Sequence, residues 1–285
     1  MVQGQVAIIQ SSDDMVVAPF LKWAGGKRWL LARIKDLIPN FKRYFEPFLG
    51  GGAVFFSLIN RYKDEAYFLS DINKPLIDTY TQLRTNAKDV VQHLNAFRNS
   101  RTTYYRIRAQ VQNDPVYEAA RFIYLNKTCF NGLYRVNKSG IFNVPYGRNV
   151  NKDYFDEEFL IKVGATLREV RIEARDFEIS LADTKEGDFV FLDPPYTVAH
   201  KNNGFVEYNE KIFSWDDQKR LAKCVKRLAE NNVKFILTNA AHSNISELYS
   251  GIADKIEIER VSTMSGSISA RRKVSEYVYT NCIGA

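Results

Sequence analysis

The stretch from Phe189 to Tyr196 constrains the fold most, because four apolar residues run directly into Asp-Pro-Pro-Tyr. Apolar side chains in succession, without alternation, predict a strand that is buried on both faces. Pro194 has no backbone N–H to give to a sheet, so the strand must end at Asp193. In open α/β sheets ligands bind outside the carboxyl ends of strands. Asp193, Pro194 and Tyr196 are therefore predicted to lie at a binding crevice.

Composition narrows the class of protein. The 285 residues are 45% hydrophobic, enough for one sizeable core and a smaller appended unit. No apolar run reaches the roughly 18 residues needed to cross a bilayer, so no membrane partner is expected. Three scattered cysteines form no disulfide framework, which favours the reducing cytoplasm, and with only three histidines we expect no metal site. Residues 1–17 carry no basic segment and are predicted to be a disordered leader.

The net charge of +7 is concentrated in one central segment. From Lys74 to Phe155 the chain holds 13 Lys and Arg against 5 Asp and Glu, whereas the remainder holds 27 basic and 28 acidic residues. Apolar spacing in this segment is helical as far as Asn126, with breaks expected at Asn86 and Pro115. The excess charge is either a solvated helical face or the electrostatic footprint of a polyanion such as nucleic acid.

A glycine turn supplies a second candidate site. Gly50 begins a triple glycine between a short strand and a helix, the layout of the first βα turn in a nucleotide-binding sheet. The next strand ends in Asp71, about 20 residues further on, where an acid binds ribose hydroxyls or, alternatively, caps the following helix. Trp23 and Lys27 flank another glycine pair and suit a ligand with an aromatic ring and a carboxylate. The glycine spacings of dinucleotide and nucleoside triphosphate sites are absent.

The residues from Asn126 to Arg148 interleave basic, amide and aromatic side chains around a turn at 137–140. Short alternating runs on either side predict a β-hairpin. This hairpin has little apolar surface to bury, whereas rings that stack and Arg or Asn side chains that reach base edges are typical of nucleic-acid readers. Residues 74–155 are therefore predicted to be a mainly helical insertion that reads nucleic acid, placed between two parts of the sheet domain, 18–73 and 156–285.

Four motifs appear in a fixed order along the chain. They are Lys-Trp-Ala-Gly-Gly-Lys at 22–27, Phe-Glu-Pro-Phe-Leu-Gly-Gly-Gly at 45–52, Phe-Asn-Gly-Leu-Tyr-Arg at 130–135 and Asp-Pro-Pro-Tyr at 193–196. With them the chain resembles the Dam-type DNA adenine-N6 methyltransferases, in the subgroup that recognises GATC, from Pro19 to about Asn281. The resemblance implies a doubly wound, Rossmann-like α/β sheet that binds S-adenosylmethionine, an inserted recognition domain with a β-hairpin, and double-stranded DNA as substrate.

The resemblance also implies roles for residues on the cofactor side. Trp23 and Lys27 would contact the methionine end of S-adenosylmethionine, and Asp71 would bind its ribose. Asp176 and Phe177 match positions that hold adenine. The full set expected to bind the cofactor is Trp23, Lys27, Phe48, Gly50, Asp71, Asp176, Phe177 and Asp193.

On the DNA side, Phe130 falls where the family inserts a ring, commonly that of tyrosine, beside the flipped base. Asn131 matches a phosphate contact, and Leu133, Arg135 and Pro145 match positions that read base pairs. Lys22 matches the contact with the outer guanine. The full set expected to contact DNA is Lys22, Phe130, Asn131, Leu133, Arg135, Asn137, Pro145 and Arg148.

The expected chemistry follows from the residues at 193–196. Adenine's amino nitrogen is a poor nucleophile because its lone pair is delocalised into the ring. The Asp193 carboxylate and the Pro194 carbonyl, aimed at the amino hydrogens, would localise that pair electrostatically. The base must first flip out of the duplex, and Tyr196 offers a ring for it to stack on.

Alternative functions also fit Asp-Pro-Pro-Tyr, since related tetrapeptides serve N4-cytosine, RNA and protein-glutamine methylation. We keep an N4-cytosine or RNA methylase and a catalytically inactive DNA-binding relative as alternatives. The protein is expected to be a monomer in the cytoplasm.

Overall fold

The computed structural model describes residues 17–147, 153–196, 213–261 and 273–284. Arg148 and the predicted leader lie outside these ranges, except for Val17, which is buried and whose backbone exchanges two hydrogen bonds with the Asn60 side chain. Within the described ranges, no helix is both long and apolar enough to cross a membrane.

One mixed sheet of seven strands organises the described residues. Its order is β3-β2-β1-β4-β5-β7-β6. The pairings that join β1 to β5 are parallel, whereas β7 runs antiparallel to both β5 and β6. The strands are β1 (Arg43–Glu46), β2 (Ala66–Asp71), β3 (Arg171–Ala174), β4 (Asp188–Leu192), β5 (Lys234–Ala240), β6 (Asp254–Val261) and β7 (Lys273–Thr280).

The strand order reverses between β1 and β4. The chain runs outward from β1 to β2 and β3, then returns to the other side of β1, so that Phe45 lies in register with both Phe68 and Val190. The carboxyl ends of β1 and β4 therefore meet at a topological switch point, where open α/β sheets bind ligands. The predicted doubly wound α/β class is confirmed, and β4 is buried at all five positions as expected.

Helices cover both faces of the sheet. They are α1 (Arg28–Ile34), α2 (Ala53–Ile59), α3 (Lys74–Ala96), α4 (Arg101–Ala109), α5 (Pro115–Thr128), α6 (Glu157–Thr166), α7 (Phe177–Ala182), α8 (Trp215–Glu230) and α9 (Ser243–Leu248), with 3-10 turns at Lys35–Leu37 and Phe130–Gly132. Both predicted helix breaks are confirmed. Asn86 leaves helical geometry inside α3, with φ of −134°, and Pro115 is the first residue of α5.

Alternate residues of β4 enter two separate apolar layers. Phe189 and Phe191 pack with helices α1 to α6, whereas Val190 and Leu192 pack with α7, α8 and α9. The first layer also contains buried side chains of the central basic segment, including Tyr124. Residues 74–147 therefore share a continuous core with one face of the sheet.

The predicted hairpin in the basic segment is reduced to a turn and two isolated bridges, Val136–Phe142 and Cys129–Tyr146. Its tip is closed by hydrogen bonds from the backbone N–H of Asn137 to the carbonyl of Ile141 and from Gly140 back to Asn137. The prediction of a β-hairpin was wrong in its strands. Pro145 has no N–H to give to a ladder. The apolar side chains of Phe142 and Val144 are buried in the core shared with the sheet, so the segment is held by that core and not by a regular strand pair.

Close contact between α3 and α6 gives a test of this core. A Cβ on Gly164 would meet the carbonyl oxygen of Leu83 and come within 2.9 Å of the Ala87 Cβ. We expect Gly164→Ala to lower the free energy of unfolding by about 1–3 kcal/mol, the usual cost of overpacking. Urea unfolding measures it. Ala165→Ser, which adds one atom at an exposed neighbouring position, is the control, and equal stability of the two variants would contradict the packing.

Candidate active site

The glycine turn after β1 lies against Trp23. Gly50 and Gly52 have φ values of 48° and 66°, which favour glycine. A Cβ on Gly50 would come within 2.7 Å of the Trp23 indole Nε1, so a side chain there would displace the ring. The Trp23 ring also stacks on that of Tyr134, with ring centres 5.5 Å apart. Trp23 therefore joins the glycine turn to the basic segment, a contact that the sequence did not reveal.

Asp71 is held at the end of β2 by two backbone donors. Its Oδ2 accepts a hydrogen bond from the Gly50 N–H at 3.0 Å and its Oδ1 accepts one from the Asn73 N–H at 2.9 Å. Burial raises the pKa of this carboxyl group. The cap of α3 is Asn73, whose side chain accepts from the Leu76 N–H. Asp71 is thus fixed beside the glycine turn and is not the cap of α3.

Asp193, a partly exposed residue at the end of β4, forms an ion pair with the buried Lys27. The Lys27 Nζ lies 2.8 Å from Asp193 Oδ1 and donates to the Gly25 carbonyl at 2.9 Å. Thr238 of β5 donates its hydroxyl to the same Oδ1 at 2.6 Å. Both donors therefore use one carboxylate oxygen. Within the described part of the chain, Oδ2 of Asp193 accepts no hydrogen bond, so a ligand can use it.

Tyr196 is anchored by a residue that carries no sequence motif. Its hydroxyl donates to Glu276 Oε2 at 2.8 Å, and the Lys27 Nζ lies 4.9 Å from the ring centre. Burial raises the pKa of the Tyr196 hydroxyl well above its usual value. Glu276 is a buried acid in β7. Side chains alternate along a strand, and at every second position the sequence of β7 reads Val274, Glu276 and Val278. An acid between two valines is the signal by which the sequence could have revealed it.

The predicted adenine-binding residues also lie together. The rings of Phe48 and Phe177 stack with centres 5.3 Å apart. Asp176 caps α7 through the Glu178 N–H and accepts from Arg220 at 2.8 Å. The Arg220 guanidinium lies over the Phe177 ring at 4.8 Å, so this arginine of α8 holds the group in place and was not anticipated from the sequence.

Lys22 is an exposed side chain that packs against the 3-10 turn of the basic segment. A Cβ on Gly132 would come within 2.6 Å of its Cδ. Its backbone N–H and carbonyl both bond the Asn126 side chain, at 2.8 and 2.7 Å. Its ammonium lies 3.5 Å from the Lys127 carbonyl. Burial, and secondarily the Lys22 charge, lower the pKa of Lys127 to about 8. Two neighbouring cations favour an anionic partner.

The remaining predicted DNA contacts follow this turn. Phe130 is 50% exposed, Asn131 is also exposed with φ of 54°, and Leu133 is half-buried. Arg135 is exposed and its Nε donates to Asn143 at 2.8 Å. Exposed Pro145 accepts from the Phe130 N–H at 2.9 Å.

Asn137 differs from the other predicted DNA contacts. Its side-chain oxygen accepts the N–H groups of Ser139 and Ile141, both at 3.0 Å, so this oxygen closes the turn and only the amide nitrogen can face a ligand.

Glu46, at the end of β1, is a further buried carboxyl that sequence reasoning missed. It accepts hydrogen bonds from the Tyr44 hydroxyl at 2.8 Å and the Phe55 N–H at 3.0 Å. Burial raises its pKa to about 8, and the charges of Asp193 and Asp71 add to the rise. No cluster of His, Cys, Asp and Glu that could hold a metal occurs within the described ranges.

The fold and the site define a class of protein. It is an α/β enzyme whose crevice lies at the switch point of the sheet, beside an Asp-Pro-Pro-Tyr turn that offers hydrogen-bond acceptors. Residues 23–264 match the family model of D12 class N6 adenine-specific DNA methyltransferases. The chain belongs to this family. Its methyl donor is S-adenosylmethionine, and its acceptor is adenine in DNA and not cytosine or RNA.

Similar proteins are known from archaea and bacteria. Type II methyltransferase M.MjaIII of Methanocaldococcus jannaschii is 40% identical over 258 residues, which covers 83% of this chain and 89% of that protein. Type II methyltransferase M1.LlaDCHI of Lactococcus lactis subsp. cremoris is 36% identical, covering 92% and 95%. The DNA adenine methylase of Serratia marcescens is 33% identical, covering 90% and 96%.

The raised pKa of Glu46 predicts a pH dependence of stability. A carboxyl whose folded-state pKa of about 8 exceeds its ordinary value of 4.5 stabilises the fold at low pH and loses that contribution as pH rises through 8. Glu46→Gln, which stays neutral, should therefore lose less stability than the wild type between pH 5 and pH 8.5. Urea unfolding at both pH values measures the difference. Glu186→Gln, at an exposed position, should behave as wild type, and parallel curves for Glu46→Gln and wild type would contradict the assignment.

Proposed function

We propose that this protein methylates N6 of adenine in double-stranded DNA at GATC, with Asp193 and Pro194 as the acceptors of the amino hydrogens. The observation that carries the proposal is the geometry of Asp193. Lys27 and Thr238 both bond its Oδ1, which leaves Oδ2 for a ligand at the end of a central strand. The Pro194 carbonyl, in the same stiff turn, accepts no hydrogen bond from any described residue and is a second acceptor.

The chemistry of the side chains fits S-adenosylmethionine. When bound, this cofactor supplies a methyl group on a positively charged sulfur. The stacked pair of Phe48 and Phe177 suits its adenine, with the Asp176 carboxylate beside it. The Asp71 carboxylate, fixed by backbone N–H groups beside the glycine turn, suits the ribose hydroxyls. Trp23, Lys27 and Gly50 form the remaining wall of the crevice.

Asp193, Pro194 and Tyr196 divide the work on the acceptor base. Asp193 Oδ2 and the Pro194 carbonyl each accept a hydrogen bond from one amino hydrogen, which localises the nitrogen lone pair. Preorganised polar groups of this kind stabilise a transition state by about 3 kcal/mol each. Lys27 and Thr238 fix the Asp193 carboxylate for this task. Tyr196 offers a ring face to the flipped base, and its hydrogen bond to Glu276 holds the ring in place. Base stacking offsets part of the cost of flipping.

The charge of the basic segment supports DNA as the polymer it contacts. Six arginines of this segment have no acidic group within 4.0 Å among the described residues, namely Arg84, Arg98, Arg101, Arg106, Arg108 and Arg135. This pattern favours a footprint for phosphates over a face stabilised by its own ion pairs. Arg135 lies within this segment and Lys22 packs against it. We propose that both read GATC together with Phe130, Asn131, Leu133 and Pro145.

The contacts among Lys27, Asp193, Tyr196 and Glu276 are those of an intact site and fit an active enzyme. We further propose that the protein works as a monomer in the cytoplasm, where DNA is available. A single copy already contains every residue proposed for the site.

Replacing Asp193 tests the acceptor pair. Asp193→Ala should lower methyl transfer to a GATC duplex by at least about 100-fold, because the preorganised acceptor is lost, while the affinity for DNA is kept. Radiolabelled methyl transfer and fluorescence anisotropy measure the two quantities. Asp216→Ala, which removes an exposed carboxylate (85% exposed), is the control and should keep full activity. Substantial turnover by Asp193→Ala would rule out the mechanism.

Replacing Arg135 tests the recognition of sequence. Methylation is compared on two duplexes that differ in one base pair of GATC, and equal labelling of both by the wild type would refute the proposed target. Arg135→Ala should relax discrimination at one base pair by about 1–3 kcal/mol. Lys138→Ala, a loss of charge in the same exposed turn, should leave discrimination unchanged. A uniform loss of affinity in Arg135→Ala would make it a phosphate contact instead.

A further inference from the structure

Glu276 is a buried acid on β7 that contacts two residues of the crevice. It is 4% exposed and lies in register with Ala240 of β5. Its Oε2 accepts the hydrogen bond of the Tyr196 hydroxyl at 2.8 Å and lies 3.9 Å from the Lys27 Nζ. The side chain therefore reaches the crevice from the antiparallel edge of the sheet.

Lys27 is shared between two carboxylates, Asp193 at 2.8 Å and Glu276 at 3.9 Å. Asp193 already pairs with Lys27 at the shorter distance and also accepts the Thr238 hydroxyl. Glu276 places a second carboxylate beside the same buried ammonium.

Methyl transfer changes the charge of the cofactor. S-adenosylmethionine carries a positive sulfonium, whereas its product, S-adenosylhomocysteine, carries a neutral thioether at the same position. A fixed negative charge in a site of low dielectric attracts the first group and has little effect on the second. Coulomb interactions fall slowly with distance in such a site, so a carboxylate acts on the sulfonium without touching it.

We propose that the negative charge of Glu276 makes the crevice prefer the cationic methyl donor over the neutral product. The inference rests on the proposed site, in which Lys27, Asp193 and Tyr196 line the cofactor and the acceptor base. It concerns the charge of this one side chain, and it holds whatever other groups Glu276 contacts. Its consequence for the enzyme is weaker inhibition by the product.

Binding of three cofactor analogues to Glu276→Gln tests the proposal. S-adenosylmethionine carries a sulfonium, sinefungin carries an amine that is protonated at neutral pH, and S-adenosylhomocysteine carries no charge there. Glu276→Gln should weaken the binding of the two cations on the order of 10-fold. The affinity for the neutral ligand should stay within about twofold of wild type, because only the cations interact with the lost charge. Isothermal titration calorimetry measures the three dissociation constants.

Two controls separate charge from shape. Glu257→Gln removes an exposed charge from β6 and should leave all three constants unchanged. Tyr196→Phe removes the hydroxyl that bonds Glu276 but keeps the acid, so it should preserve the ratio between cationic and neutral ligands.

Two results would overturn the proposal. One is equal weakening of all three ligands in a Glu276→Gln protein that keeps its melting temperature. The other is a Tyr196→Phe variant that reproduces the change in ratio. If Glu276→Gln fails to fold, Glu276→Asp is measured in its place. This variant keeps the charge and must keep the ratio even where affinities fall, and a lost ratio would count against the proposal.

These measurements need no DNA, so the two proposals can fail separately. If Glu276→Gln changes the ratio between cationic and neutral ligands as expected but the wild type does not methylate a GATC duplex, the proposed function alone is refuted. Methylation of GATC with an unchanged ratio in Glu276→Gln would refute the role of Glu276 alone.

Discussion

The buried ammonium of Lys27 is the interaction on which the rest of the site depends. It pairs with Asp193 at 2.8 Å and lies 3.9 Å from Glu276 and 4.9 Å from the Tyr196 ring centre. An unpaired charge in this position would cost several kcal/mol, so the ion pairs offset that cost and favour the three chain segments coming together. The groups that hold the protein together here are the groups proposed to bind the ligands.

The sheet explains why these segments meet. Residues 27, 193 and 276 are far apart in the chain, but β4 and β7 both pair with β5, and the strand order reverses next to β4. Open α/β sheets form a ligand crevice at such a switch point, here between β1 and β4. The basic segment packs into the same core and touches the crevice through Trp23 and Tyr134. A polymer held by that segment is thereby delivered to the cofactor side.

Much of this could be predicted from the sequence, because proline and glycine mark where strands end. Asp193 and Asp71 were located at strand ends in this way, and the family motifs added Lys27. Glu276 and Thr238 could not be found from motifs, since their importance depends on how β7 pairs with β5. The hairpin was misjudged for a related reason: alternation in the sequence does not reveal that Phe142 and Val144 pack into the core shared with the sheet, with only isolated bridges between the two runs. The Asn137 oxygen, used by its own turn, shows the same limit.

The distance from the flipped adenine to Asp193 tests the account most directly. It can be measured in a crystal structure of the protein with sinefungin and a duplex that contains one GATC site. We predict that N6 of the adenine lies within about 3.2 Å of both Asp193 Oδ2 and the Pro194 carbonyl, with Lys27 still on Oδ1. An adenine that remains stacked in the duplex, or whose amino group bonds other residues, would contradict the central claim.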